Sequence, residues 1–163
     1  MGNPFAFFGI EPALVIDEKA LRRKYLDIQR GSHPDLQSHV DEPDADDSEK
    51  ANEHYKTLMN RELRVKSYLM LKSNADIKDN QLPPAYLMEM MDLSDEIESM
   101  DRTEESQTQR VESELLEKES ALEVEFQVIA AAPKPNIESL VLWYQKQKYL
   151  LRLRKNFEGI EEF

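Results

Sequence analysis

Cysteine is absent from this 163-residue chain. Disulfides, cysteine-ligated zinc, an iron–sulfur cluster held by the chain's own thiolates and thiol catalysis are thereby excluded. Glycine is scarce: Gly2, Gly9, Gly31 and Gly159 are the four. Long stretches therefore run without a helix-breaking glycine, which argues for helix and against an all-β fold. The longest wholly apolar run near the N-terminus is too short for a transmembrane helix or a signal h-region, and no basic segment precedes it. Met1-Gly2 is followed by Ala6 where myristoylation wants Ser or Thr. Excess positive charge is lacking too. A net charge of -12 disfavours nonspecific binding to nucleic acid or to an anionic membrane. The chain is expected to be soluble, cytoplasmic and unprocessed, with room for one ordinary domain or two small ones.

What is present is helical punctuation. Asn3-Pro4 pairs a good N-cap with proline at the first helical position, and Phe5, Phe7 and Phe8 make a short aromatic helix closed by Gly9. A second helix is expected from after Asp17 to about Ser32. Leu21, Tyr25 and Ile28 form its buried stripe, and Arg22, Arg23 and Arg30 lie on its outer face. The acidic run Asp41–Asp47 reads as a solvated loop, with Asp46 and Glu49 as a capping box for a third helix. Tyr55, Leu58, Met59, Val65 and Leu69 keep one helical period up to about Lys72.

The second half repeats this logic. Pro83-Pro84 opens a helix through about Met100. Another spans about Thr103 to Ala131 on a stripe of Val111, Leu115, Leu122, Phe126 and Ile129. Pro133 and Pro135 stop it, and a last helix runs from near Asn136 towards Glu158. Residues 104–125 carry eight Glu against Arg110 and Lys118, whereas 138–155 carry Lys146, Lys148, Arg152, Arg154 and Lys155 against Glu138. Antiparallel helices of opposite charge choose each other as neighbours, so a three-helix bundle is expected. The organisation predicted is 1–74, a linker over 75–82, and 83–163.

Between the second and third helices stands His33-Pro34-Asp35. Pro34 disfavours the α region for His33 and has no backbone donor, so the helix must stop there. The result is a stiff turn presenting an imidazole and a carboxylate beside a positive helix face. It suits docking an acidic partner better than catalysis. His33 and Asp35 flank a proline, and His39 and His54 fall at no recognised metal spacing, so no metal site is expected. A Ser32/His33/Asp35 triad is excluded because sequence neighbours cannot make the required order of contacts.

The N-terminal part resembles a J-domain: an aromatic first helix, a basic second helix, His-Pro-Asp, then a long third helix. Leu82-Pro83-Pro84-Ala85-Tyr86-Leu87-Met88-Glu89-Met90-Met91-Asp92-Leu93 resembles the start of the C-terminal domain of the HscB family, co-chaperones of iron–sulfur cluster assembly. Asn3–Gly9 and Arg64–Leu71 are similar to that family too, and the resemblance covers nearly the whole chain. It implies an all-α protein, a J-domain followed by a three-helix bundle. It implies two partners, the DnaK-class ATPase chaperone HscA and the cluster scaffold IscU. The chain itself would be no enzyme and would carry no cofactor. His33, Pro34 and Asp35 map onto the chaperone-binding signature, with Arg22, Arg23 and Arg30 adding the positive face; Lys24 is the weakest addition because it neighbours Tyr25. Ser32 and Leu36 stand where many J-domains have an aromatic and a lysine.

The helix from Pro84 has two apolar faces. Tyr86, Met90, Leu93, Ile97 and Met100 are spaced as core. Leu87, Met88, Met91, Asp92 and Asp95 make a second stripe, more apolar surface than a small bundle can hide. By family position that stripe is the scaffold contact, joined by Tyr149 on the last helix, while Ser99 replaces a further acidic residue. A rival reading is a general J-domain co-chaperone whose bundle holds clients or dimerises. A hydrolase using His33 and Asp35 is a third, and it predicts turnover without any chaperone.

Overall fold

A computed structural model describes residues 2–31, 45–73 and 82–159. Among them are seven helices and no strand: α1 (Pro4–Phe7), α2 (Glu18–Gly31), α3 (Ala45–Met59), α4 (Arg61–Ser73), α5 (Pro84–Ser99), α6 (Glu105–Ala131) and α7 (Ile137–Glu158). The all-α expectation holds. The chain divides into two compact units, Met1–Ala75 and Asp76–Phe163.

In the first unit, the Asn3 side chain accepts from the amides of Phe5 (2.9 Å) and Ala6 (3.2 Å), and Pro4 fills the first helical position of α1. Gly9 then takes a left-handed φ of 67° that a side chain would resist. Phe5, Phe8, Leu14, Leu21, Leu58, Val65 and Leu69 bury together as the core. Helices α2 and α3 pair through a polar seam. Tyr25 stacks on Tyr55 at 4.3 Å and bonds Asn52 through its hydroxyl. Gln29 donates to the Asn52 side chain (3.1 Å) and to the Ser48 carbonyl (3.2 Å), and accepts from the Ser48 hydroxyl (2.6 Å). Tyr25 is accordingly half-buried rather than fully packed.

Two expectations change. The helical period through Val65 and Leu69 conceals a break at Asn60, where α3 ends and α4 begins. The Asn60 side chain caps the new helix by accepting from the Leu63 amide at 3.0 Å. The third helix also begins at Ala45, so Asp46 lies inside its first turn instead of capping it.

The second unit is a bundle of α5, α6 and α7. Its core joins Met90, Leu93 and Ile97 to Val111, Leu115, Leu122, Phe126 and Ile129 and to Leu140, Trp143, Leu150 and Leu153. Trp143 packs on Phe126 at 4.7 Å, and its indole N–H donates to the Leu122 carbonyl at 2.9 Å, so the buried donor is satisfied. The charge asymmetry is realised as ion pairs. Lys146 meets Glu125 at 3.6 Å, and Arg154 meets Glu112 at 2.8 Å and Glu119. At the far end Arg102 donates to the carbonyls of Phe157 (2.5 Å) and Asn156 (2.9 Å), the latter also accepting the Gly159 amide at 3.2 Å, so the last turn of α7 is closed by both.

Candidate partner-binding faces

On α2, Arg22, Arg23 and Arg30 are all exposed. Lys19 and Leu26, missed in the sequence reading, share their face, because 19, 22, 23, 26 and 30 are spaced by threes and fours. The face is thus four cations around one exposed leucine. Arg30 lies 4.0 Å from Asp27, in a pair open to water. Lys24 points elsewhere: its ammonium donates to the Phe8 carbonyl at 3.1 Å and ties α2 to the end of α1. His33, Pro34 and Asp35 lie outside the described residues, as do Ser32, Leu36 and His39. The polar seam from Tyr25 to Asn52 joins the last turns of α2 to the first turns of α3, on either side of that segment in sequence.

His54 lies against Phe7, ring centroids 4.8 Å apart, and burial lowers its pKa from the ordinary 6.5. No group of three or more His, Asp or Glu side chains suited to a metal ion occurs among the described residues. None of their helices is long and apolar enough to cross a membrane.

On α5 the two stripes separate. Met90, Leu93, Ile97 and Met100 are buried, while Tyr86 sits half-buried at the edge. Met88 is 66% exposed and Met91 52%; Asp92 and Asp95 are exposed and Leu87 is half-buried. These five share the side of the helix turned away from its core stripe. The helix is held in register on α6 by Glu89–Lys118 at 3.2 Å and by Glu96–Arg110. Tyr149 of α7 is half-buried, with the Arg152 guanidinium 5.8 Å from its ring centroid.

Beside α5 runs a groove of about 580 Å³. Arg110, Lys118 and Lys146 line it, but so do Glu114, Glu117 and Glu125, so its charges cancel. The Tyr86 hydroxyl is buried there without a hydrogen-bond partner among the described residues. Burial and the carboxylates of Glu125 and Glu89 push its pKa up to about 12, and the Lys146 ammonium lies 5.1 Å from the ring centroid. The groove offers neither a nucleophile poised beside a base nor a net charge to select a ligand.

Residues 82–158 match the family described as the HSCB C-terminal oligomerisation domain. Over its second unit the chain is thus similar to the HscB family. The co-chaperone protein HscB homolog of Vibrio atlanticus (strain LGP32) is 30% identical over 105 residues, which are 60% of this chain and 61% of that protein. The match thus spans less than two thirds of that relative's length. The mitochondrial J-type co-chaperone JAC1 of Saccharomyces cerevisiae is 29% identical over 152 residues, 84% of this chain and 78% of its own. Among solved structures, chaperone HscB from Vibrio cholerae superposes with a TM-score of 0.70 at 22% identity, over 98% of this chain and 97% of that one. The HscB fold, a J-domain followed by a C-terminal helical bundle, is therefore the fold of this chain.

Proposed function

We propose that this chain is a non-enzymatic co-chaperone of iron–sulfur protein maturation. It brings the scaffold IscU to the DnaK-class chaperone HscA and stimulates that chaperone's ATP hydrolysis. One observation carries the reading: in a unit that matches the HscB C-terminal family, α5 leaves two methionines and two aspartates of one face open to solvent while its other face packs the core. An exposed apolar strip on a well-packed helix is the form of a partner site. Flexible thioethers can fit a partner's contours, and the carboxylates orient it. Scaffold contacts are assigned to Leu87, Met88, Met91, Asp92, Asp95 and Tyr149. Chaperone contacts are assigned to His33, Pro34 and Asp35 with Arg22, Arg23 and Arg30. Residues 1–74 are assigned to the J-domain, 75–82 to the linker and 83–163 to the scaffold-binding domain, and the site of action to the cytoplasm.

Leu87→Ala with Met91→Ala removes two apolar contacts worth about 1 kcal/mol each, so affinity for IscU falls about 30-fold in titration calorimetry. Unchanged affinity rejects the assignment of α5. His33→Gln abolishes stimulation of HscA in a steady-state ATPase assay and leaves IscU affinity as it was. Wild-type stimulation by that variant ends the docking argument. The family description favours a second reading, in which the bundle serves oligomerisation. Sedimentation equilibrium separates the two, since a stable dimer without IscU binding supports the second alone.

A further inference from the structure

In a chain without cysteine, oxidisable sulfur resides in methionine alone. Four of the seven methionines, Met88, Met90, Met91 and Met100, fall within or just after α5, and the structure sorts them sharply. Met88 and Met91 stand in solvent one turn apart. Met90, between them in sequence, is 0% exposed, and Met100 is 8% exposed. We propose that Met88 and Met91 form a peroxide-responsive modification site, whose conversion to sulfoxide releases the partner bound on α5. The inference rests on the reading of α5 as the scaffold face.

The chemistry needs only a hydroperoxide, such as hydrogen peroxide, reaching the thioether. The sulfur lone pair attacks one peroxide oxygen. An S–O bond forms as the O–O bond breaks, the sulfur loses two electrons, and the peroxide leaves as water. Exposure governs which thioether reacts, so the buried Met90 and Met100 are built-in controls. A sulfoxide is polar and accepts hydrogen bonds, which disrupts a methionine-rich contact. The surroundings deepen the effect. The segment Pro84–Ser99 has no Lys or Arg, and the exposed polar neighbours Asp92 and Asp95 are themselves acceptors. A sulfoxide oxygen covered by a partner thus finds no cationic donor on its own helix, and burying it without one is unfavourable. Reduction by a methionine sulfoxide reductase, drawing on a thiol, would restore the thioether and the contact.

The test uses the full chain treated with limiting hydrogen peroxide, which is removed before IscU is added. Peptide mass spectrometry should show one-oxygen adducts at Met88 and Met91 well before Met90 and Met100. Met70, 59% exposed on α4, should oxidise alongside them and serves as an off-face control. Affinity for IscU should fall about tenfold after treatment and recover after incubation with the reductase. For Met88→Leu with Met91→Leu, the ratio of affinities before and after peroxide should stay near one although Met70 still reacts. The proposal is overturned if Met90 oxidises as fast as its neighbours. It is equally overturned if wild type carrying both sulfoxides binds as before, or if the double variant loses affinity on treatment. Failure of untreated protein to bind IscU sinks the reading of α5 and the switch with it. The order of oxidation is read by mass alone, so that failure is distinguishable from a failure of the site chemistry.

Discussion

Arg64 is 7% exposed, a guanidinium inside the first unit that binds backbone carbonyls. Its Nε donates to the Leu14 carbonyl at 2.8 Å and one terminal nitrogen donates to the Leu58 carbonyl at 2.7 Å. Burial pushes its pKa below the usual arginine range, yet arginine remains cationic. The side chain therefore acts as a two-pronged clamp, joining the segment before α2 to the end of α3. Arg64→Ala would leave two inward-facing carbonyls short of a charged donor and open a cavity, a loss of about 2–4 kcal/mol. Arg64→Lys keeps the charge but lacks the planar fork, so it should recover only part of that loss. Urea unfolding of the three proteins checks this. A full rescue by lysine would show that charge, not geometry, is what the site requires.

At the scale of elements, Asn60 shows what the sequence hides. Val65 and Leu69 continue the apolar period of Tyr55, Leu58 and Met59, so periodicity alone reads one helix from the Asp46 cap to about Lys72. The chain instead turns at Asn60, and Arg64 of α4 reaches back to the last turns of α3. An arginine that binds carbonyls inside a core looks, in sequence, like an ordinary polar position. The seam of Tyr25, Gln29, Ser48 and Asn52 was hidden for a similar reason, since pairwise polar contacts have no period. By contrast, α1, α5 and α7 were legible at their starts, because Asn3-Pro4, Pro83-Pro84 and Asn136 are local signals that need no tertiary partner. The two-faced character of α5 was legible as well, since too many apolar residues lay off the core stripe. Asn60→Ala should cost about 1 kcal/mol by removing the acceptor for the Leu63 amide, whereas Asn60→Gly should cost only a few tenths. Equal losses in thermal melts would mean that the turn is held by Arg64 and not by the cap.

At the scale of the whole molecule, a net charge of -12 coexists with one helix face on which Lys19, Arg22, Arg23 and Arg30 surround Leu26. The proposed scaffold face on α5 differs in kind, with exposed thioethers carrying the contact and two aspartates beside them. If these faces meet two partners, the two associations should respond differently to salt. Raising ionic strength from about 0.1 M to about 1 M shortens the Debye length from about 10 Å to about 3 Å. Attraction between the exposed cations of α2 and an acidic chaperone surface is then largely screened, and its association rate falls with it. Burial of Leu87, Met88 and Met91 does not depend on that screening. Affinity for HscA is therefore expected to drop about tenfold or more, chiefly through slower association, and affinity for IscU by less than about threefold. Surface plasmon resonance with each partner in turn measures both. Equal salt sensitivity would contradict the division between an electrostatic face on α2 and an apolar face on α5. Arg22→Ala with Arg23→Ala should reproduce the high-salt loss for the chaperone while leaving the scaffold unaffected.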